Sequence, residues 1–327
     1  MASSLPSVHN EWLNLFSHVS SLLHVPPSHT SELPDLDART TARLIDHTLL
    51  APAATLDQIS TLCVEAREHH FRTVCVRSNH VAQAKKDLLG TDVGVASVVG
   101  FPSDDDYPSY TTARKVAEAR SAIADGATEL DMVLNYDALK EDGQVSENDQ
   151  TSMYTAIYED VMAVREAAPK PTLLKVILET SQLTDEDVAR ACVICCLSGA
   201  DFVKTSTGFR GHGATLEVVQ LMRAVCDVCQ SEGLTTGRVQ VKASGGIRTI
   251  DDVRKMVSVG AERIGASAGV AIISGLNRRN SGIPKALEDR VRGDYHISEA
   301  NQRLQSTVTE SSQPGSPYSP ANGQNAV

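Results

Sequence analysis

A single-domain (β/α)8 barrel, the TIM-barrel architecture, is the fold this sequence predicts, and three observations predict it. From about residue 43 to 275, short apolar and β-branched runs alternate with longer amphipathic stretches, the pattern of a parallel sheet covered by helices. Eight such runs can be counted. The chain has 327 residues, 41% hydrophobic and 22% charged, enough for one large α/β core with tails, because single cores grow to about 250–300 residues. A doubly wound sheet shares the alternation, but eight βα units in roughly 230 residues fit a closed barrel better.

Taken in order, the strands are expected at Leu44–Leu49, Thr73–Arg77, Val93–Gly100, Glu129–Leu134, Leu173–Glu179, Phe202–Ser206, Val239–Ala243 and Arg263–Ala266. Helices are expected between and after them, at Leu56–His69, Val81–Leu89, Tyr110–Asp125, Thr151–Ala167, Asp185–Ser198, Leu216–Ser231, Ile250–Val259 and Gly269–Ser274. Thr184 ahead of Asp185, Glu186 and Asp187, and Thr249 ahead of Asp251 and Asp252, bring a side-chain acceptor and first-turn carboxylates to helix N-termini. Gly126, Gly199 and Gly260 stand where a helix must turn into the next strand.

The flanks differ from this core. Residues 1–38 are expected to be a helical extension and linker: Trp12, Leu15, Phe16, Val19, Leu22 and Leu23 share one face of Glu11–Leu23, and a Pro/Ser-rich stretch follows at Val25–Pro34. That face is expected to cap the barrel bottom or meet a partner subunit. The barrel is assigned to residues 39–297. Residues 298–327, rich in Ser, Gln, Asn and Pro, cannot repay the entropy of ordering and are expected to be a disordered tail.

A net charge of -11 argues against broad contact with nucleic acid or anionic membrane. With no secretory leader pattern and no apolar stretch approaching the roughly 20 residues of a span, a cytoplasmic protein is expected. Seven cysteines are scattered as an odd number, which fits reduced thiols. Cys192/Cys195 and Cys226/Cys229 both read C-x2-C, but inside helical patterns that spacing only places neighbours on one face, so buried thiols are expected rather than zinc knuckles.

In a parallel barrel, functional groups collect where strands end at the C-terminal face. Charged residues inside apolar strands are therefore informative: Asp46, Asp131, Lys175, Lys204 and Lys242. A lysine in a strand interior meets a large desolvation cost unless it is neutral, paired or functional. Three of them converging would lower the pKa of one amine toward the range a nucleophilic lysine needs, with two carboxylates to relay protons. His47 beside Asp46 suggests metal only weakly, since no second imidazole completes a spacing and His47 points away from Asp46 on a strand. Asp104–Asp106 lacks the glycine and glutamate of a calcium loop, and Gly208–Gly213 lacks the Lys-Ser/Thr of a Walker loop.

Three glycine-rich ends follow strands six, seven and eight: 205–213 (TSTGFRGHG), 244–248 (SGGIR) and 265–269 (GASAG). Barrels commonly build a phosphate site from their last loops. Backbone N–H groups around Thr207, Gly208, Gly245, Gly246 and Gly265, the Ser267 hydroxyl and the Arg248 charge are the expected contacts for a small phosphorylated ligand.

These residues carry a resemblance. LIDHTLL (44–50), DMV (131–133), LLKVILET (173–180), DFVKTSTGF (201–209), VKASGGIR (241–248) and RIGASAG (263–269) resemble, in order, the motifs of the deoxyribose-phosphate aldolase family of class I aldolases. The resemblance implies reversible cleavage of 2-deoxy-D-ribose 5-phosphate to D-glyceraldehyde 3-phosphate and acetaldehyde, a step of deoxyribonucleotide catabolism, with no metal or organic cofactor. By the same resemblance Lys204 is the Schiff-base lysine, Lys242 its pKa-lowering neighbour, Asp131 the proton relay, Asp46 the second aspartate near the substrate hydroxyl, and Lys175 a further substrate-site lysine. Cys75 falls where some relatives carry an aldehyde-sensitive cysteine. Ala268 stands where many relatives carry a serine and Phe209 where some carry a lysine, which implies phosphate binding that is weaker or borne more by the backbone, and Tyr318 is not expected to reach the site. A homodimer is the expected assembly. Two alternatives remain at this point: an aldolase for another phosphosugar, and a catalytically silent phosphosugar-binding barrel.

Overall fold

The computed structural model describes residues 5–25, 33–102, 111–140, 152–235 and 237–280. Contacts divide the chain into Met1–Asn277, to which all that follows refers, and Arg278–Val327. In chain order the elements are α1 (His9–Leu22), α2 (Ala38–Leu44), β1 (Ile45–Thr48), α3 (Leu56–His69), β2 (Thr73–Val76), α4 (Val81–Asp87), β3 (Gly94–Val99), α5 (Thr112–Ala124), β4 (Glu129–Val133), α6 (Asp137–Lys140), α7 (Met153–Ala167), β5 (Leu173–Ile177), α8 (Asp185–Leu197), β6 (Phe202–Lys204), α9 (Leu216–Ser231), β7 (Gln240–Ser244), α10 (Ile250–Ser258), β8 (Arg263–Ala266) and α11 (Gly269–Asn280). All eight strands pair in parallel with their sequence neighbours, and β8 closes on β1.

Alternation along each strand divides the core in two. Ile45, Val74, Val95, Leu130, Leu174, Val203, Val241 and Ile264 belong to the large apolar layer shared with the helices. A smaller cluster of Leu50, Cys75, Ala96, Val98, Phe101, Val133, Tyr136 and Ile177 fills the side of the barrel mouth made by β1 to β5. His47 points outward as expected, bonding Glu65 of α3 at 2.7 Å and packing on Phe71. Thr184 and Thr249 each cap their helix in a reciprocal box with the third helical residue. Five buried cysteines sit where α8 meets α9, with Cys196 and Cys226 sulfurs 4.0 Å apart, and all seven in the chain are free.

Several expectations need correction. Helix α1 does not cap the barrel bottom: Trp12, Phe16 and Val19 are buried against the outside of α7, α8 and α9, while Leu22 of the same predicted face stays exposed. Trp12 donates its indole N–H to Thr155 at 2.9 Å, and Phe16 meets Tyr154 edge to face at 4.9 Å. Helix α2 was not expected; Asp37 starts it by accepting from the Thr40 N–H, in a stretch too short for apolar periodicity to show. Helix α11 runs past Ser274. Asp104–Asp106, Tyr318, the barrel boundary at 297 and the tail at 298–327 lie outside the described residues.

The α1 packing has a measurable consequence. Trp12→Ala removes a wholly buried side chain and is expected to lower unfolding free energy by about 3–5 kcal/mol in a denaturant titration followed by circular dichroism, since the chain's only tryptophan is the one removed. A loss under about 1 kcal/mol would show that α1 is not docked as described.

Candidate active site

Inside the barrel, seven charged side chains are buried together: Asp46 from β1, Glu129 and Asp131 from β4, Lys175 from β5, Lys204 from β6, Lys242 from β7 and Arg263 from β8. Strand register explains how they meet. Asp131 pairs with Lys175, and Lys204 pairs with Lys242 on one side and Ile177 on the other. Lys175 therefore enters two residues below Lys204, in a deeper layer with Glu129 and Arg263.

Asp131 is the hub. One of its oxygens, Oδ2, accepts from Lys204 at 2.8 Å and from Lys242 at 2.7 Å, while Oδ1 accepts from Lys175 at 2.6 Å. Lys242 also donates to Asp46 at 2.5 Å. Arg263 joins Asp46 at 2.7 Å to Glu129 at 2.8 Å, and Lys175 reaches Glu129 at 2.7 Å. The five charged strand residues picked out from the sequence thus converge, and Glu129 and Arg263 are additions. Their signal was available: Glu129 is two residues before Asp131 and Arg263 two before Gly265, so alternation turns them to the same interior. Both begin their strands, where a charged residue is ordinary.

Electrostatics single out one amine. Burial lowers the pKa of Lys204, Lys242 pushes the same way, and Asp131 opposes without winning. For Lys242 burial is outweighed by Asp131 and Asp46, so its pKa is raised. Burial of Lys175 is likewise outweighed, by Asp131, Glu129 and Asp46, and its pKa is raised. Asp131 and Asp46 are pulled below the usual carboxylate range because neighbouring cations outweigh their burial. Cys75, at the bottom of the apolar side of the mouth, is held as a thiol by burial and then by Asp131. The site therefore sets a primary amine of lowered pKa beside a second lysine and two carboxylates.

The glycine-rich loops come together at the same end of the barrel. Ala214 N–H donates to Ser244 and Gly245 carbonyls at 3.0 and 3.2 Å, and a Cβ on Gly213 would lie 2.1 Å from the Gly245 oxygen, so only glycine permits this crossing. Gly245 and Gly246 both take positive φ, 87° and 79°. Gly265 has another duty besides an open backbone: a Cβ there would come within 3.1 Å of Lys242 Cε and 2.9 Å of Ser244 Cβ. It makes room for the lysine tail. Gly208, Gly246, Arg248 and Ser267 stand exposed, whereas Thr207 is buried with its hydroxyl bonded to Glu179. Lys175 has no exposure and spends its donors on carboxylates below the mouth. Phe209, half exposed, packs edge to face on Phe101 at 5.3 Å.

Comparison with known proteins agrees with this geometry. Residues 40–278, well over half of the chain, match the model of the DeoC/LacD family aldolases. A deoxyribose-phosphate aldolase of Coccidioides immitis is 50% identical over 247 residues, covering 76% of this chain and 85% of the relative. Deoxyribose-phosphate aldolase 1 of Cutibacterium acnes is 48% identical over 233 residues, 71% of this chain and 96% of its own. Among solved structures, a Coccidioides immitis chain superimposes with a TM-score of 0.72 at 47% identity, covering 83% of this chain and 98% of that one. The tetrameric deoxyribose phosphate aldolase of Aeropyrum pernix gives 0.62 at 29%, covering 74% and 92%. With its closed barrel and its one disfavoured ammonium, this chain belongs to the DeoC/LacD family of aldolases.

Proposed function

We propose that this aldolase reversibly cleaves 2-deoxy-D-ribose 5-phosphate to D-glyceraldehyde 3-phosphate and acetaldehyde through a Schiff base on Lys204. One observation carries the reading: of the four buried cations in the barrel, Lys204 alone meets a single carboxylate, Asp131, where the others meet two or more, and burial lowers its pKa. The names of the relatives supply the substrate.

In this scheme neutral Lys204 attacks C1 of the open-chain sugar, and loss of water leaves a protonated imine. Removal of the proton on the C3 hydroxyl lets C2–C3 break, its electron pair passing into the imine to form an enamine. Glyceraldehyde 3-phosphate leaves, the enamine takes a proton at C2, and hydrolysis frees acetaldehyde and the amine. The imine is the electron sink, so the scheme calls on no metal or organic cofactor. Asp131, touching both Lys204 and Lys242 through one oxygen, is assigned the proton relay through water, with Lys242 as the cation that keeps Lys204 uncharged. Asp46 holds Lys242 and is assigned to the substrate hydroxyl. Thr207, Gly208, Gly245, Gly246, Arg248, Gly265 and Ser267 are assigned to the phosphate end. Lys175 is assigned a supporting place beneath Asp131 rather than a direct substrate contact, because its donors are spent there.

A cytoplasmic setting is part of the proposal, supported by seven free, buried thiols; among the described residues no helix is long and apolar enough to cross a membrane. A homodimer is the proposed assembly, on the family resemblance and on what remains exposed of the apolar face of α1, whose Trp12, Phe16 and Val19 are buried within the chain. Light scattering decides between it and the tetramer of the Aeropyrum pernix relative.

Borohydride reduction in the presence of 2-deoxyribose 5-phosphate, followed by peptide mass mapping, is expected to place the adduct on Lys204, and Lys204→Leu is expected to abolish both adduct and turnover. An adduct on Lys242 would reverse the roles, and binding without any adduct would favour a silent barrel. The pH dependence has a definite sign. Because the amine reacts unprotonated and its pKa is lowered, kcat/KM rises with pH to a plateau reached below the ordinary lysine value. Lys242→Met removes a neighbouring positive charge, so the rising limb moves to higher pH; a shift to lower pH contradicts the role of Lys242. Asp131→Asn is expected to cost on the order of 10²–10⁴-fold in kcat, and Gly265→Ala, by crowding Lys242, is expected to slow turnover while the protein stays folded by circular dichroism.

A further inference from the structure

Glu179 lies in the motif of β5, two residues past the strand, and has no part in the lysine chemistry. It follows β5 in the left-handed region, at φ 57° and ψ 55°, one of two non-glycine residues among those described with positive φ. Such a conformation persists only where its surroundings hold it. Its side chain is completely buried. Both carboxylate oxygens face one residue of the next loop: the Thr207 N–H donates to them at 3.2 and 3.4 Å, and the Thr207 hydroxyl donates to Oε2 at 2.5 Å.

The contacts around this pair all tie the turn after β5 to the loop after β6. Thr180 N–H donates to the Thr205 carbonyl at 2.9 Å, and the Ser181 hydroxyl to the Arg210 carbonyl at 3.0 Å. Gly211 approaches so closely that a Cβ on it would lie 2.5 Å from Ser181 Oγ. The Thr207 hydroxyl is engaged on both sides, since it also accepts the Phe209 N–H at 3.1 Å. What the grip leaves open is Gly208, exposed at φ 85°, with nothing within 4 Å of where its Cβ would be and, among the described residues, no partner for its N–H. The carboxylate accepts from both the backbone N–H and the hydroxyl; an amide in its place must donate to the hydroxyl, which already accepts the Phe209 N–H and would lose the acceptor for its own proton.

We propose that Glu179 is a positioning residue for substrate selection: by clamping Thr207 it presents the Gly208 backbone to the phosphate of the sugar, and so sets the preference for phosphorylated over unphosphorylated substrate. Thr207 then acts through its conformation and not through its hydroxyl. This inference rests on the reading of the loop after β6 as part of the phosphate site.

The test compares kcat/KM for 2-deoxyribose 5-phosphate with kcat/KM for 2-deoxyribose. In Glu179→Gln the ratio is expected to fall about tenfold or more, through a raised KM for the phosphorylated sugar, and inorganic phosphate is expected to become a weaker competitive inhibitor. Equal losses on both sugars, or an unchanged ratio, overturn the clamp, because a residue that merely supports the fold has no reason to distinguish them. Should Glu179→Gln fail to fold, Thr207→Val removes the hydroxyl bond from the other end and must lower the same ratio. Where both fold, the double variant must add little to either single one, and full additivity counts against the coupling. A wild-type ratio near one overturns the phosphate reading itself, whereas a high wild-type ratio that Glu179→Gln leaves intact overturns the clamp alone.

Discussion

In the ion-pair network inside the barrel three carboxylates meet four bases, so one base has no carboxylate of its own. Asp46, Glu129 and Asp131 balance Lys175, Lys242 and Arg263; Lys204 is the surplus base. Taking an unbalanced ion out of water costs several kcal/mol even after relaxation, and a lysine escapes that cost by giving up its proton. Lys175 is surrounded by Asp131, Glu129 and Asp46, and Lys242 is held between Asp46 and Asp131. Lys204 has only an oxygen of Asp131 that Lys242 already uses. The proposed chemistry starts where the network runs short of negative charge.

Much of the rest of the structure serves that arrangement. Parallel register puts the Lys204 and Lys242 backbones side by side, and the absence of a side chain at Gly265 leaves space for the Lys242 tail between β7 and β8. Small and apolar residues on β2 to β5, Cys75, Ala96, Val98, Val133 and Ile177, line the opposite wall of the mouth, which sustains the desolvation acting on Lys204. On the far side, the crossing of Gly213 over Gly245 joins the loops after β6 and β7 into one surface. In the proposed scheme proton chemistry and phosphate recognition occupy different parts of the barrel mouth, linked by the few residues between Lys204 and Gly208.

How far this could be read from the sequence depended on the kind of signal. The eight strands and their helices were legible because burial on both faces writes apolar, β-branched runs, and because a lysine or aspartate inside such a run stands out. Asp46, Asp131, Lys175, Lys204 and Lys242 were found that way. Glu129 and Arg263 begin their strands, where a charge looks ordinary until the pairing shows which way it points. The depth of Lys175 was hidden for a related reason: stagger between strands, not position in a motif, decides which residues share a layer. Glu179 gave no local sign, since its left-handed backbone and its bonds to Thr207 arise only when two loops meet. Helix α1 shows the converse limit. Its apolar face was plain in the sequence, but amphipathicity says that a face is covered and not by what, and here the cover is α7, α8 and α9 of the same chain.

The central claim concerns the protonation state of one nitrogen, so the most direct measurement is the 15N titration of lysine Nζ resonances in the resting enzyme, with Lys204 assigned by its loss in Lys204→Arg. The account predicts that Lys204 gives up its proton at a lower pH than Lys242 or Lys175, both of which stay ammonium through the range in which it titrates. If Lys204 holds its proton while Lys242 or Lys175 loses one first, the nucleophile has been wrongly identified.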